Sequence, residues 1–569
     1  MLYSLTQTTS PAIRQWEEAR AALDVAMTKY LDLSCSLEAS SLREGASTTG
    51  LSNIGSALET FHVKLEQHIT RARSTLADTQ NKINSPIYRV PREILFEIFA
   101  HVVYTPDIPL GHYHYPMTNT LIDNYHAVYR LLGVCSVWRT IILTRGSFWS
   151  MVPVMDPAIA LYPGSLKRHP CSTSLSLERA GGGDLHLAVA LLDPATNNTN
   201  DLTQFAPRFR TINVMCKSHS VIHRILDYFR DYDSSSRLTD LSVCLKSQGF
   251  NEVPQENDYV FPSGSPKQLL FERLVKSLSV LRVRGAMFHL DTALSYSQLT
   301  EIHLQELTLG QDSKFVKILV ALSSMPCLHH LKLISIKTFP ENELVPITFI
   351  NSSVSLPGLQ TLFIQDLYAN TLHLLLSFIS SHTHHTTLYL TEKCLQVQHP
   401  EEPQAGVIDI QELVEIRALS YVNVLIVRCN LKYPMSTDSF RRVIASMTNL
   451  ETLQITGGHF DAEYCEAITR PQNLGSRLFP QLKHMHIYSA TIDKIDSFKA
   501  MMASYFESLE WIIFGGGMEK DTYGELEWES FEEEDEAIVW LAHNVQKFEL
   551  VNWGFEPPES LDRPEWQLW

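Results

Sequence analysis

The strongest constraint on this chain is a template, apolar-x-x-apolar-x-apolar, that returns throughout its C-terminal two thirds. It opens as Phe209/Ile212/Val214 and continues as Leu238/Leu241/Val243, Leu278/Leu281/Val283, Leu299/Ile302/Leu304, Leu328/Leu331/Leu333 and Leu359/Leu362/Ile364. After a degenerate copy, His385/Leu388/Leu390, come Val422/Leu425/Val427, Leu450/Leu453/Ile455, Leu482/Met485/Ile487, Leu509/Ile512/Phe514 and Val545/Phe548/Leu550. The twelve copies are spaced irregularly, by 21 to 40 residues. Alternating x-L-x-L is a strand with one buried face, and such a strand cannot close a core alone. Stacking strand on strand, with a helix or turn between, buries a continuous apolar wall. The template therefore predicts an α/β solenoid, with an ordinary α/β domain of buried strands as the alternative. Asp312–Leu322 and Leu372–Phe378 read as intervening helices, while Pro326, Pro357 and Pro480 punctuate the approach to strands.

Composition narrows the function classes. At 569 residues the chain is long enough for several domains or one array. Its 63 acidic against 46 basic residues leave a net charge of −17, which repels phosphate backbones and argues against nucleic acid as partner. No window is apolar enough to span a membrane, and no secretion signal is visible. The nine cysteines are scattered and never form C-x-x-C, so they read as reduced, buried thiols of an intracellular protein. Phosphate-loop, H-E-x-x-H and G-x-S-x-G patterns are absent. Gly181–Gly183 and Gly515–Gly517 read as turns, and His382, His384 and His385 as a solvated loop cluster rather than metal ligands. We expect no catalytic residues, no metal and no cofactor.

Ahead of the array, Ile13, Trp16, Leu23, Met27, Tyr30/Leu31 and Leu37 fall at helical steps, followed by a turn near residues 43–50. Leu51, Ile54, Leu58, Phe61, Leu65, Ile69, Leu76 and Ile83 form a second seam. Residues 1–84 are thus expected to form a helical hairpin or short coiled coil. A short helix, 91–103, follows Pro91, whose missing N–H suits a helix start. Residues 104–120 read as a loop, and a further helical stretch covers residues near 121–144. Near the end, Glu525–Glu536 holds eight acidic residues in twelve. It reads as a solvated loop before a helix at 537–543, with a basic partner held by Trp528 and Phe531 as the sharper alternative.

Two half-motifs give the region 85–150 a further meaning. Val90-Pro91-Arg-Glu93-Ile94-Leu95-Phe-Glu-Ile98-Phe99 is followed by Val134-Cys135-Ser-Val-Trp138-Arg139-Thr-Ile141 and Phe148-Trp149. Together they resemble an F-box with an insertion at 104–125, longer than usual in that family. With strand-like repeats after it, over residues 151–569, the chain resembles the F-box proteins of mushroom-forming fungi. The resemblance implies a small helical domain followed by an irregular leucine-rich-repeat-like horseshoe. It implies docking on a Skp-family adaptor and, through it, a cullin–RING ubiquitin ligase. By motif correspondence, Pro91, Ile94, Leu95, Ile98, Phe99, Val134 and Trp138 would form the adaptor-facing and supporting surface. The helix is apolar nearly all round, so a partner surface is also expected on physical grounds. The array would then hold a protein substrate. Phe363, Tyr389 and Ile426, mid-strand residues of successive copies, are expected to form one apolar-aromatic patch on its concave face. The alternative is a repeat scaffold acting outside any ligase.

Overall fold

The computed structural model describes residues 10–44, 48–84, 86–105, 116–156, 172–191, 200–229, 237–246, 252–341, 356–379, 384–400, 406–407, 414, 416–429, 436–471, 479–522, 525–555 and 566. The chain forms two compact units, Met1–Leu95 and Phe96–Trp569. In the first, α1 (Pro11–Glu44) and α2 (Thr48–Asn84) occupy the two seams read from the sequence. They meet where Tyr30 packs against Phe61, ring centroids 5.3 Å apart, and where its hydroxyl lies 3.4 Å from His62 Nε2. A 3-10 turn, Pro86–Arg89, leads to α3 (Arg92–Tyr104), within which the first unit ends.

The second unit continues through α4 (Met117–Val134) and α5 (Ser136–Thr144). The expected single stretch is two helices, because Cys135 between them is fully extended (φ −159°, ψ 171°). The start of α4 also corrects the expected loop 104–120: residues 117–120 are helix, and Met117 is buried, as are Leu121 and Ile122 after it.

Beyond α5 the unit is mixed α/β, built on a mostly parallel sheet of 16 strands. Each of the twelve template copies is a strand of it. In chain order they are β3 (Phe209–Cys216), β4 (Asp240–Leu245), β5 (Val280–Arg284), β6 (Glu301–Gln305), β8 (His330–Ile334) and β10 (Thr361–Gln365). They continue as β11 (His385–Leu390), β14 (Val422–Arg428), β15 (Thr452–Thr456), β17 (His484–Ile492), β18 (Trp511–Thr522) and β20 (Lys547–Leu550). Each pairs in parallel with the next. Parallel neighbours need a crossover, and helices such as His219–Asp227, Pro266–Ser277, Asp312–Ser323 and Ala369–Phe378 supply it. Two strands precede the first copy, β1 (Met151–Met155) and β2 (Leu185–Leu191), buried almost throughout and without the template.

The apolar positions of the template share one face. Leu241, Leu281, Ile302, Leu331 and Leu362 lie opposite one another in register and are buried. Each such side chain contributes roughly 1.5–3 kcal/mol of burial. At β10–β11 the template slips by two residues, so that Leu388 pairs with Ile364 rather than Leu362. A slip of two keeps every side chain on its own face, whereas a slip of one would turn the apolar row outward.

A second repeat emerges only in the backbone. The residue following the strand has positive φ at Gly285 (66°), Glu306 (53°), Ser335 (51°), Asp366 (57°) and Gly457 (73°). At Gly285, Glu306, Ser335 and Gly457 its N–H donates to a carbonyl of the next strand, at 2.8–3.0 Å. Non-glycine residues resist this region because Cβ crowds the following carbonyl. Glu306 is held there by Arg284, and Asp366 accepts from Ser335 Oγ and Thr391 Oγ1 at 2.7 and 2.9 Å.

Gly515–Gly517, expected as a turn, is strand: Gly516 pairs with Ala490 and Gly517 with Thr491. A Cβ on Gly516 would stand 2.8 Å from the Ala490 carbonyl oxygen, so glycine here permits close strand approach. The acidic run also departs from the expected loop. Glu525–Ser530 is β19, antiparallel to Gly517–Thr522, and the helix that follows is Glu536–Asn544. Phe531 is buried against Phe514 and is not an exposed anchor; the side chain of Trp528 lies outside the described residues.

Candidate functional site

The first half-motif builds α3, which starts where the Pro91 carbonyl accepts from the Leu95 N–H at 3.0 Å. Helical spacing then sorts its apolar residues into two stripes. Leu95, Phe99 and Val103, four apart, are buried. Ile94, Ile98 and Val102, also four apart, are 51, 44 and 50 % exposed. A helix that buried both stripes would be internal packing; this one buries one and presents the other.

The buried side rests on the second half-motif. Phe99 packs on Trp138 with centroids 4.6 Å apart, and Phe96 meets Phe148 edge-on at 5.3 Å. The Arg145 guanidinium lies 5.4 Å from the centre of the Phe96 ring. Tyr104 donates its hydroxyl to the Ser147 carbonyl, and burial of that hydroxyl pushes its pKa up to about 12. Trp149 is fully buried and donates from Nε1 to the Ile142 carbonyl at 3.0 Å. Phe96 and Phe99 of the first half-motif therefore pack on residues of the second, more than thirty positions further along the sequence.

Among the residues assigned to an adaptor surface, Ile94 and Ile98 are exposed on α3, and Val134 is exposed at the end of α4. Pro91 is exposed at the helix start. Leu95 and Phe99 are buried and Trp138 is half-buried, so these three support the surface rather than form it. Val102 was not singled out, although its spacing from Ile94 and Ile98 is visible in the sequence.

The sheet face opposite the template core divides in two. Over β1–β4 it is covered: Met151, Met155, Ala188, Ala190, Met215 and Cys244 form one cluster with Met117, Leu121 and Ile122 of α4 and with Trp566. Trp566 donates from Nε1 to Asn213 Oδ1, and its carbonyl accepts from the Met117 N–H at 2.7 Å. Ser242, on the same face, is buried.

From β5 to β8 this face turns polar. Arg282, His303 and Lys332 stand in register on three adjacent strands. Arg282 pairs with Glu301 at 3.1 Å, and Arg284 holds Glu306 through two bonds of 2.9 and 2.7 Å. Burial, reinforced by Lys332, Arg282 and Arg284, pushes the His303 pKa down to about 3, so the ring is neutral. Farther along, burial and the neighbouring His484 push His486 down to about 4. His303 Nε2, Gln454 Nε2, His486 Nε2 and Trp511 Nε1 are buried without a hydrogen-bond partner. A buried group left unpaired costs roughly 1–3 kcal/mol.

The expected apolar patch is not brought together as an exposed surface. β10, β11 and β14 are adjacent, but the two-residue slip pairs Phe363 with Thr387 and places Tyr389 opposite Gln365. Tyr389 and Ile426 do face each other, and both are buried; Phe363 is half-buried.

Among the described residues no group of His, Cys, Asp and Glu is arranged to hold a metal, and no helix is long and apolar enough to cross a membrane. His382 lies outside the described residues and His385 is exposed at the start of β11, but His384, against the expected solvation, is half-buried with both ring nitrogens closed to solvent. The described cysteines are all free; Cys216, Cys244, Cys394 and Cys465 are buried, but Cys35 is exposed, against the expected burial. A scan of protein-family models returns no match, and no curated protein matches the sequence.

Proposed function

We propose that the protein is the substrate-recognition subunit of a Skp–cullin–F-box ubiquitin ligase, with α3 docking on the adaptor. The observation that carries this reading is the half-exposed stripe Ile94, Ile98 and Val102, backed by the buried stripe Leu95, Phe99 and Val103. An apolar row held rigidly at the surface costs solvation that a partner's apolar groove would relieve. The sheet and its helices then form a repeat array, a leucine-rich-repeat-like horseshoe, whose face opposite the template core, from β5 to β18, receives a protein substrate. The protein performs no chemistry itself; it holds substrate near the ligase's active centre, so that transfer gains effective concentration.

The test is co-purification of the full chain with a Skp-family adaptor and a cullin, beside an Ile94→Asp/Ile98→Asp variant. Capture of both partners by the wild type and loss in the folded variant supports the receptor. Adaptor without cullin points to a scaffold outside a ligase. No adaptor from folded wild-type protein overturns the reading.

A further inference from the structure

The two N-terminal helices carry more apolar surface than they cover. At 34 and 37 residues, α1 and α2 are each about 50 Å long. Thirteen large apolar side chains on them are 39 to 70 % exposed among the described residues. Ten of these thirteen follow the seams rather than scattering. On α1, Ile13, Trp16, Leu23, Leu31 and Leu37 fall within about 120° of the helix at about 100° per residue. On α2, Leu58, Phe61, Ile69, Leu76 and Ile83 fall within about 80°. Among the described seam residues, only Met27, Tyr30 and Leu65 are half-buried, around the Tyr30–Phe61 contact. Half-exposing this many large side chains leaves roughly 1,000 Å² of apolar surface per hairpin. A monomer's surface carries a few hundred Å² in one patch, and a standard interface takes about 800 Å² from each partner.

We propose that the α1–α2 hairpin is a homodimerisation device, whose exposed seams pack against the same seams of a second copy of this chain as a four-helix bundle. Self-association fits the area, since each copy offers a stripe of matching length and a two-fold pairing of identical stripes closes on itself. It fits the charge as well. The chain carries −17, yet residues 11–84 hold eight basic and nine acidic residues, so two hairpins approach without the repulsion the rest of the chain would impose. Within that balance α1 is net acidic and α2 net basic, which favours α1 of one copy lying beside α2 of the other. The consequence for the proposed receptor would be two substrate faces per assembly, raising avidity for a repetitive substrate. The dimer itself does not rest on the ligase reading.

Sedimentation equilibrium of the full chain over low to high micromolar concentration tests it. The expected result is a mass twice the 64.7 kDa of the chain. Trp16→Glu/Leu23→Glu should weaken association at least a hundredfold with helical circular dichroism retained. Val25→Glu, exposed but off the stripe, should leave the dimer intact. A wild type at 64.7 kDa throughout overturns the proposal, whatever happens to the variants. So does a dimer that survives the stripe variant with its helices intact, or one that Val25→Glu dissolves.

Discussion

Replacing Ile94 and Ile98 by Asp separates what α3 presents from what it packs. Both side chains are about half exposed, so completing their burial on a partner would contribute about 1 kcal/mol each. Two carboxylates driven into the same apolar contact add a desolvation cost of at least about 1 kcal/mol apiece. The sum, about 4 kcal/mol, is roughly a thousandfold in Kd at 1.4 kcal/mol per decade. The fold itself should move by no more than about 0.5 kcal/mol, because neither residue is in the core. Phe99→Ala is the complementary change. It removes a buried ring packed at a tilt, 4.6 Å between centroids, against Trp138 and should cost about 3–5 kcal/mol of stability. Calorimetric titration against a purified Skp-family adaptor reads the first effect, and urea denaturation of the protein alone reads the second. A double-Asp variant that unfolds as the wild type does and binds adaptor undiminished would refute the reasoning, since the exposed stripe would then dock nothing.

Gly358→Ala should destabilise by about 1–3 kcal/mol, because a Cβ there would stand 2.6 Å from the Pro326 carbonyl oxygen; a urea series on both proteins measures it. Trp566→Ala should cost about 3–5 kcal/mol, as for a core tryptophan, and a melting temperature unchanged by the substitution would contradict the Asn213 contact. His303 has a folded pKa of about 3, below its ordinary 6.5, so the unfolded chain binds the extra proton between these values. Stability from this group is complete above about pH 6.5 and is lost as pH falls towards 3, by up to about 1.4 kcal/mol per pH unit. Denaturant midpoints from pH 7 to 4 should fall less steeply for His303→Gln than for the wild type; parallel curves would show that the ring is not held neutral.

Strand identity and facing were legible in the sequence because both are local. A period of two decides which side chains share a face, so all twelve template copies, even the degenerate one at 385, could be placed as strands before any neighbour was known. The same holds for α3, where the motif and spacing identified the helix and most of its exposed stripe. Register is not local. Pairing Phe363 with Thr387 instead of Tyr389 leaves every residue on its face and so leaves no trace in the pattern, yet it dissolves the patch that successive copies suggested. Burial by distant segments is equally invisible. Leu95 and Ile94 are chemically alike neighbours, and what separates them is packing, not type. Trp566 reaches Asn213 across 353 residues, and β1 and β2 join the sheet without the template because their faces are covered on both sides. What the chain by itself determined was periodicity, and hence elements and faces; contacts between residues far apart in sequence decided which apolar positions became core and which remained free to bind.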